Sequence, residues 1–111
     1  MSGTFLRYKT KRRVEFRDTD AAGIVHFSAF FVYMEQAEHE MLRSLGASVA
    51  MRDSEGEIGW PRVSASCDYR HAARFEDLLD VEVSVQRLGR KSVTYGFRFT
   101  RGDVEIANGT L

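Results

Sequence analysis

Apolar and polar residues alternate along four stretches of the chain, and a period of two is typical of strands that bury one face. The alternation is clear where Val81, Val83 and Val85 stand between polar neighbours. The predicted strands cover residues 4–17, 63–70, 81–86 and 93–100. Gly89-Arg90 and Gly102-Asp103 are tight-turn signals, so we expect consecutive strands to pair as antiparallel hairpins in a meander.

Apolar residues at three- and four-residue spacing predict one long helix after the first strand. Ser28 is the predicted N-cap, because its hydroxyl can accept a hydrogen bond from a free N–H of the first turn. Gly46 is predicted to end the helix as a left-handed cap. The apolar stripe consists of Phe30, Met34, Ala37, Met41 and Leu45, whereas Glu35, Glu38, Glu40 and Arg43 lie largely off it.

The order of these elements predicts an α+β fold. One helix must cover the apolar faces of all the strands, which favours a curved antiparallel sheet wrapped around it. Residues 47–59 are predicted to form an irregular connection. The final run, 104–111, begins a further strand and stops abruptly. We therefore expect a single domain, residues 1–111, that lacks part of its C-terminal strand.

Length and composition narrow the classes of function. The 111 residues suffice for one domain, and a chain of this size gains stability when subunits share a core. Sixteen basic and sixteen acidic residues give zero net charge, which argues against a nucleic-acid partner. The single Cys67 fits a reducing compartment, and the apolar run 24–34 is too short to cross a bilayer. We expect a cytoplasmic protein with no membrane partner.

An acidic turn, Asp18-Thr19-Asp20, precedes the predicted helix. Such residues often do no more than bond nearby backbone N–H groups. The start of a helix, however, carries unpaired N–H groups and the positive end of the macrodipole, which can hold a developing oxyanion. A carboxylate nearby can act as nucleophile or as base for water. Together they would form an acyl-transfer site that uses no serine, cysteine or metal.

Other chemistries find less support. His26, His39 and His71 lack the spacing of metal ligands, and the chain contains no Gly-x-Ser-x-Gly elbow and no glycine-rich phosphate loop. His26 is an alternative base, but a histidine in an apolar run is more often packed and hydrogen-bonded than catalytic. We therefore expect no metal.

Residues 13–25 contain an Asp-x-Asp-x-x-Gly-hydrophobic-Val signature, and Phe30, Glu35 and residues 45–46 follow it at matching positions. Residues 69–77 and 88–92 extend the match over nearly the whole chain. On these residues the chain resembles the 4-hydroxybenzoyl-CoA thioesterase family of hotdog-fold enzymes. The signature before the helix is fairly specific, and the strands are less so.

The resemblance implies a helix wrapped by an antiparallel sheet, homodimers that build a joint sheet, and often homotetramers. It also implies cofactor-free hydrolysis of an acyl-CoA substrate. The catalytic aspartate falls on Asp20, and the N–H that polarises the thioester carbonyl falls at Phe27, with Ser28 beside it at the helix start. The family's basic turn near the CoA nucleotide falls on Arg90 and Lys91.

Two further residues are predicted to position the site. Glu35 matches an acidic helix position of the family. One bacterial subgroup carries Tyr-His where this chain has His26-Phe27, so no histidine role is taken from that subgroup. His26 is likewise predicted to have a positioning role.

Several alternatives remain open at this stage. The same fold could hydrolyse acyl groups from a carrier protein, or hydrate an enoyl thioester if the ring of His26 turned toward Asp20. It could also bind acyl-CoA without catalysis, because fold does not fix function. The acyl group is equally open. Aromatic residues compatible with an aromatic or medium-chain acyl pocket, or simply with the core, are Phe27, Phe30, Phe31, Tyr33 and Trp60.

Overall fold

A computed structural model describes residues 7–47, 51–53, 56–58 and 61–111, the two short segments as backbone only. These residues form one long helix and seven strands. Helix α1 spans Phe27–Ser44; the strands are β1 Arg7–Arg13, β2 Met51–Asp53, β3 Gly56–Ile58, β4 Ser66–Tyr69, β5 Leu78–Leu88, β6 Val93–Arg101 and β7 Val104–Thr110. Trp60 lies outside the described residues.

Five of the strands form one antiparallel sheet in the order β1-β5-β6-β7-β4, and β2 pairs with β3 alone. The hairpins β5–β6 and β6–β7 confirm the turns predicted at Gly89-Arg90 and Gly102-Asp103. The prediction of a simple meander is wrong at both edges. β4 pairs with β7 rather than with its successor β5, and β5 pairs with β1. The predicted irregular connection also contains the β2–β3 hairpin.

The first strand is shorter than predicted. Val14 is fully buried and exchanges backbone hydrogen bonds with Asp77 and Glu76, after which the chain turns into a short 3-10 helix at Phe16–Asp18. Phe16 is consequently 75% exposed. The second predicted strand also begins later along the chain than predicted. β4 starts only at Ser66, and Val63, at the start of the predicted alternation, is 93% exposed.

Helix α1 confirms the predicted helix with one change at its start. The N-cap is His26, two residues before the predicted Ser28, because His26 adopts an extended backbone and its side chain accepts a hydrogen bond from the N–H of Ser28. The end is as predicted. Gly46 has a φ of 75°, and the N–H groups of Gly46 and Ala47 return to carbonyls of the last turn.

The core lies between α1 and the concave face of the sheet. Four of the five predicted stripe residues are buried, whereas Leu45 lies past the helix end and is 56% exposed. The helix contributes Ala29, Phe30, Tyr33, Met34, Ala37 and Met41, and the sheet contributes Leu79, Val81, Val83, Val85, Tyr95, Phe97, Phe99, Ile106 and Ala107. This packing buries the helix along most of its length.

Glu38 departs from the prediction that the helix carboxylates lie off the stripe. It is 1% exposed and forms two hydrogen bonds to the guanidinium of Arg62, one of them 3.0 Å from Nη1 to Oε2. A buried carboxylate needs such a partner, because transfer of an unpaired charge out of water is costly.

Gly109 on β7 allows a close approach of its neighbours. A Cβ added there would lie 2.7 Å from the sulfur of Met34 and 2.7 Å from the carbonyl oxygen of Ser66. Because Gly109 has no side chain, Met34 of α1 and Ser66 of the edge strand β4 can both pack closely against β7.

The outer face of the sheet is charged and internally paired. Arg7 Nη1 lies 2.8 Å from Glu82 Oε1, and Lys11 Nζ lies 2.5 Å from Asp80 Oδ1. The basic residues of β1 are thus partly compensated by β5. No helix in the described part of the chain is both long and apolar enough to span a bilayer.

Candidate active site

The two carboxylates of the acidic turn have different surroundings. Asp18 Oδ2 accepts a 2.9 Å hydrogen bond from the N–H of Glu15 and a 2.7 Å hydrogen bond from Tyr33 Oη. The first bond belongs to a capping box around the 3-10 helix. Burial, followed by the bond to Asp18, raises the pKa of Tyr33. Asp18 therefore fastens the turn to α1.

Asp20 is held through one oxygen only. Its Oδ1 accepts hydrogen bonds from the N–H of Ala22 at 2.9 Å and, more weakly, from the N–H of Ile24 at 3.4 Å. The turn closes with Gly23, whose φ of 79° favours glycine and whose N–H donates to the Asp20 carbonyl. Oδ2 of Asp20 makes no hydrogen bond to another described residue. The turn thus orients the carboxylate and leaves one oxygen available.

Asp20 opens onto a cavity of about 370 Å³ whose wall is largely apolar or aromatic. The lining comprises Asp20, Ile24, Val25, Phe27, Phe30, Tyr69, Arg70, His71, Ala72 and Ala73. The segment 69–74 is joined to the acidic turn by backbone pairing, because Val25 donates to the Ala73 carbonyl and Ile24 pairs with Arg74. A carboxylate beside an apolar cavity can serve as nucleophile or as base toward a thioester bound there.

The helix start contributes Phe27 to this cavity. Phe27 is the first residue of α1, so its N–H has no acceptor within the helix. The N–H of Ser28 donates instead to His26 Nδ1 at 3.2 Å, and the Ser28 side chain lines another cavity. Of the two predicted oxyanion donors, the structure therefore places only Phe27 beside Asp20.

His26 and Glu35 lie away from the cavity. The His26 ring caps α1, with Nδ1 2.8 Å from Ser28 Oγ, and it lines a polar cavity of about 640 Å³ on the side of Asp18. The Asp20–His26 pair that a hydratase would need is therefore not formed. Glu35 is exposed, and its carboxylate lies 3.7 Å from Arg62.

Arg90 and Lys91 form the turn between β5 and β6. Lys91 lines a cavity of about 390 Å³ together with Arg62, Glu38 and Tyr95. Burial, followed by the nearby Glu38, raises the pKa of Tyr95. Within the described part of the chain, this cavity shares no lining residue with that of Asp20.

Two residues that line the Asp20 cavity, Tyr69 and His71, were assigned no functional role from the sequence. Tyr69 donates a 3.1 Å hydrogen bond to the Phe27 carbonyl, and its ring lies 5.5 Å from that of Phe30. Burial raises the pKa of Tyr69 to about 12. His71 is the second. The signals for both were their position at the end of a predicted strand, where loop residues often carry function, and their place in the stretch 69–77 that resembles the family.

Residues 22–107 match the model of the thioesterase superfamily. The chain belongs to this superfamily. It is accordingly a thioester hydrolase. The match begins two residues after Asp20, so it covers the cavity wall but not the aspartate itself.

Two relatives of this thioesterase have names that describe hydrolysis. A protein of Aquifex aeolicus that bears only a provisional esterase name is 36% identical over 98 residues, which cover 87% of this chain and 75% of the relative. A 1,4-dihydroxy-2-naphthoyl-CoA hydrolase of Prochlorococcus marinus is 34% identical over 104 residues, covering 87% of this chain and 68% of the relative.

A solved structure supports the fold. One similar solved structure is that of a gentisyl-coenzyme A thioesterase, which is 33% identical and has a TM-score of 0.82 over 93% of this chain and 82% of that chain. The predicted hotdog fold is confirmed: one helix lies in a five-stranded antiparallel sheet, as in the structures of thioesterases.

Proposed function

We propose that this thioesterase hydrolyses an acyl-CoA to the free acid and CoA, with Asp20 as its catalytic carboxylate. The observation that carries the proposal is the hydrogen bonding of the Asp20 carboxylate and its position beside the cavity. The turn anchors Oδ1, while Oδ2 is left available beside an apolar cavity. The names of two similar proteins, a 1,4-dihydroxy-2-naphthoyl-CoA hydrolase and a gentisyl-coenzyme A thioesterase, support CoA as the thiol.

The first turn of α1 would stabilise the charge that develops during the reaction. The thioester carbonyl oxygen would accept a hydrogen bond from the N–H of Phe27 as it becomes an oxyanion, at the positive end of the helix dipole. The Tyr69 bond to the Phe27 carbonyl fixes this first turn against β4. The donor would therefore be held in place before the substrate binds.

The acyl group would occupy the cavity beside Phe27, Phe30 and Tyr69. Their rings suit an aromatic acid, because aromatic groups pack edge-to-face or offset against one another. Both CoA-utilising relatives reported above are named for aromatic acyl groups. The other proposed pocket aromatics, Phe31 and Tyr33, do not line this cavity.

The CoA phosphates are proposed to bind near the β5–β6 turn. Arg90 and Lys91 are exposed there, and the Arg62 guanidinium lines the same cavity as Lys91. Cationic side chains suit phosphate oxygens, as point charges for lysine and as a planar fork for arginine. The enzyme is further proposed to be a cytoplasmic homodimer or homotetramer. The short strand β4 lies at one edge of the sheet, and no other strand among the described residues pairs with its outer side.

The proposal is tested by measuring free-thiol release from a panel of aromatic and aliphatic acyl-CoAs, with an acyl-carrier protein as a further substrate. We expect turnover of acyl-CoA, faster with aromatic than with aliphatic acyl groups. Turnover of the carrier-protein thioester alone would refute CoA as the thiol.

The presence of His71 in the Asp20 cavity favours one second candidate, hydration of an enoyl thioester, which needs an acid and a base together. Incubation with an enoyl-CoA separates the two reactions. Hydration consumes the conjugated double bond and releases no thiol, whereas hydrolysis releases the thiol.

A further inference from the structure

His71 shares the Asp20 cavity although no motif marks it in the sequence. It follows β4, and its side chain lines the cavity together with Phe27 and Phe30 of the helix start. The side chain is exposed, so solvent can reach the ring. The cavity therefore contains a carboxylate and an imidazole from two separate segments of the chain.

One nitrogen of the His71 ring is held by the sheet. Nδ1 lies 2.9 Å from the carbonyl oxygen of Glu105 on β7, and the His71 N–H donates to the Ile106 carbonyl at 3.2 Å. A carbonyl oxygen can only accept, so Nδ1 carries the proton in this pair. In the neutral ring the lone pair is therefore on Nε2, which is the tautomer required of a base with a fixed orientation.

The titratable and charged groups near this ring come from five parts of the chain. β6 contributes Arg101, which donates a 3.3 Å hydrogen bond to the carbonyl of the neighbouring Ala72. The acidic turn contributes Asp20, the segment after β4 contributes Arg70, and β4 itself contributes Tyr69. β7 contributes Glu105, whose carboxylate lies 3.5 Å from Arg98. Among the described residues, α1 contributes only the apolar Phe27 and Phe30 to the cavity.

A second base is needed if Asp20 attacks the thioester itself. Once its free oxygen is bonded to the acyl group, Asp20 is no longer a carboxylate and cannot accept a proton from water. Among the described residues that line the cavity, His71 is the one whose ring nitrogen lone pair is directed by a fixed tautomer.

We infer that His71 Nε2 is the base that activates the hydrolytic water, an inference that rests on the proposed acyl-CoA hydrolysis. In the first step an Asp20 oxygen bonds to the thioester carbonyl carbon and the C–S bond breaks, giving an acyl-aspartyl anhydride and CoA thiolate. In the second step water attacks the acyl carbon and one water proton passes to Nε2. The bond to Asp20 breaks, which releases the acid and restores the carboxylate. The imidazolium then gives its proton to the thiolate through solvent.

The test is His71→Asn in the full chain. The asparagine amide can still donate from near the Nδ1 position to the Glu105 carbonyl, but it provides no base at the Nε2 position. His39→Asn is the matched control, because His39 lies on α1 and lines a different cavity. Thiol release and acid formation are followed separately before the steady state, and kcat is followed from about pH 5 to 8.

We expect His71→Asn to release one equivalent of CoA per site in a burst and then to turn over about 100-fold more slowly than wild type. The rise of kcat with pH that accompanies deprotonation of the base should be absent in this variant and present in His39→Asn. Wild-type turnover with an unaltered pH profile in His71→Asn overturns the inference and leaves the proposed function intact. A fall in kcat without a burst also overturns it, because His71 would then act before thiol release. Absence of wild-type turnover overturns both proposals.

Discussion

Tyr33 Oη donates a 2.7 Å hydrogen bond to Asp18 Oδ2, and this bond distinguishes the two aspartates of the acidic turn. It commits Asp18 to holding the turn against the helix. Asp20, two residues later, uses only one oxygen for the turn. The same short motif therefore contains a structural carboxylate and a candidate catalytic one.

Asp20→Asn is expected to reduce kcat for acyl-CoA hydrolysis at least about 100-fold while the fold remains intact. The amide oxygen can keep the hydrogen bond from the Ala22 N–H, but the amide nitrogen is neither nucleophile nor base. Thiol release measures the rate, and thermal unfolding measures the fold.

Asp18→Asn is the matched control. Both of the Asp18 hydrogen bonds use one oxygen, which an asparagine amide can supply, so turnover should stay within a few-fold of wild type. Asp18→Ala, which leaves Tyr33 Oη without this partner, should cost about 1–3 kcal/mol of unfolding free energy. Comparable hydrolysis by Asp20→Asn and wild type would remove Asp20 from the mechanism.

The Glu38–Arg62 pair predicts a large loss of stability when its exposed member is removed. Arg62→Leu removes the guanidinium from the buried Glu38 carboxylate and leaves only the His39 ring, whose Nε2 lies 3.8 Å from Oε1. Breaking a buried pair of this kind costs about 3 kcal/mol or more. Urea unfolding measures the change. Glu35→Gln, whose exposed carboxylate lies 3.7 Å from the same guanidinium, should cost less than about 1 kcal/mol. Equal losses in the two variants would contradict the assignment.

Gly109→Ala should destabilise the fold by about 1–3 kcal/mol, because its Cβ would meet the Ser66 carbonyl and the Met34 sulfur. Gly96→Ala is a useful comparison. Its Cβ would meet the side chain of Gln86, which can move aside. The free energy of unfolding, measured by chemical denaturation, should therefore be clearly lower for Gly109→Ala than for Gly96→Ala. The reverse order would show that β7 and α1 separate easily.

Asp77 predicts a specific loss of stability in acid. The Arg74 N–H, opposed in part by desolvation and aided by Arg101, lowers the pKa of Asp77. Because the folded pKa lies below the ordinary value of about 3.9, the stabilisation is present above that value and is lost as pH falls through the folded pKa. Asp77→Asn should therefore lose less unfolding free energy than wild type between neutral pH and about pH 3. Asp103→Asn, in the exposed β6–β7 turn, should behave like wild type.

The sequence pattern correctly predicted the features of the fold that are determined by residues close together along the chain. The spacing of Phe30, Met34, Ala37 and Met41 identified the buried face of α1, and Gly46 identified its end. The same spacing wrongly placed Glu38 off the buried stripe. The pattern along the helix gives no sign of its partner Arg62, which is distant in sequence. The helix start was missed by two residues because histidine is not among the preferred N-cap residues.

Distance along the chain also limited what the sequence could indicate about the candidate site. Asp20 and Phe27 are close in sequence, and their cavity brings them together. His71 enters that cavity only because β4 pairs with β7 and the chain after β4 returns to the acidic turn. No periodicity along the chain encodes that return, so the sequence predicts a positioning role for His26, which is closer to Asp20 in sequence, and no role for His71.

The strand order also bears on the sequence of events in folding. β5, β6 and β7 are joined by short turns, whereas Arg7 of β1 pairs with Ser84, and Ser66 of β4 with Thr110. Long loops must close before such distant pairs form, so we expect the two sheet edges to dock after the hairpins. The cavity joins the segments that follow those edges, and it would be completed last. During refolding, recovery of thioesterase activity should therefore lag behind the circular-dichroism signal of the sheet, and simultaneous recovery would argue against this order.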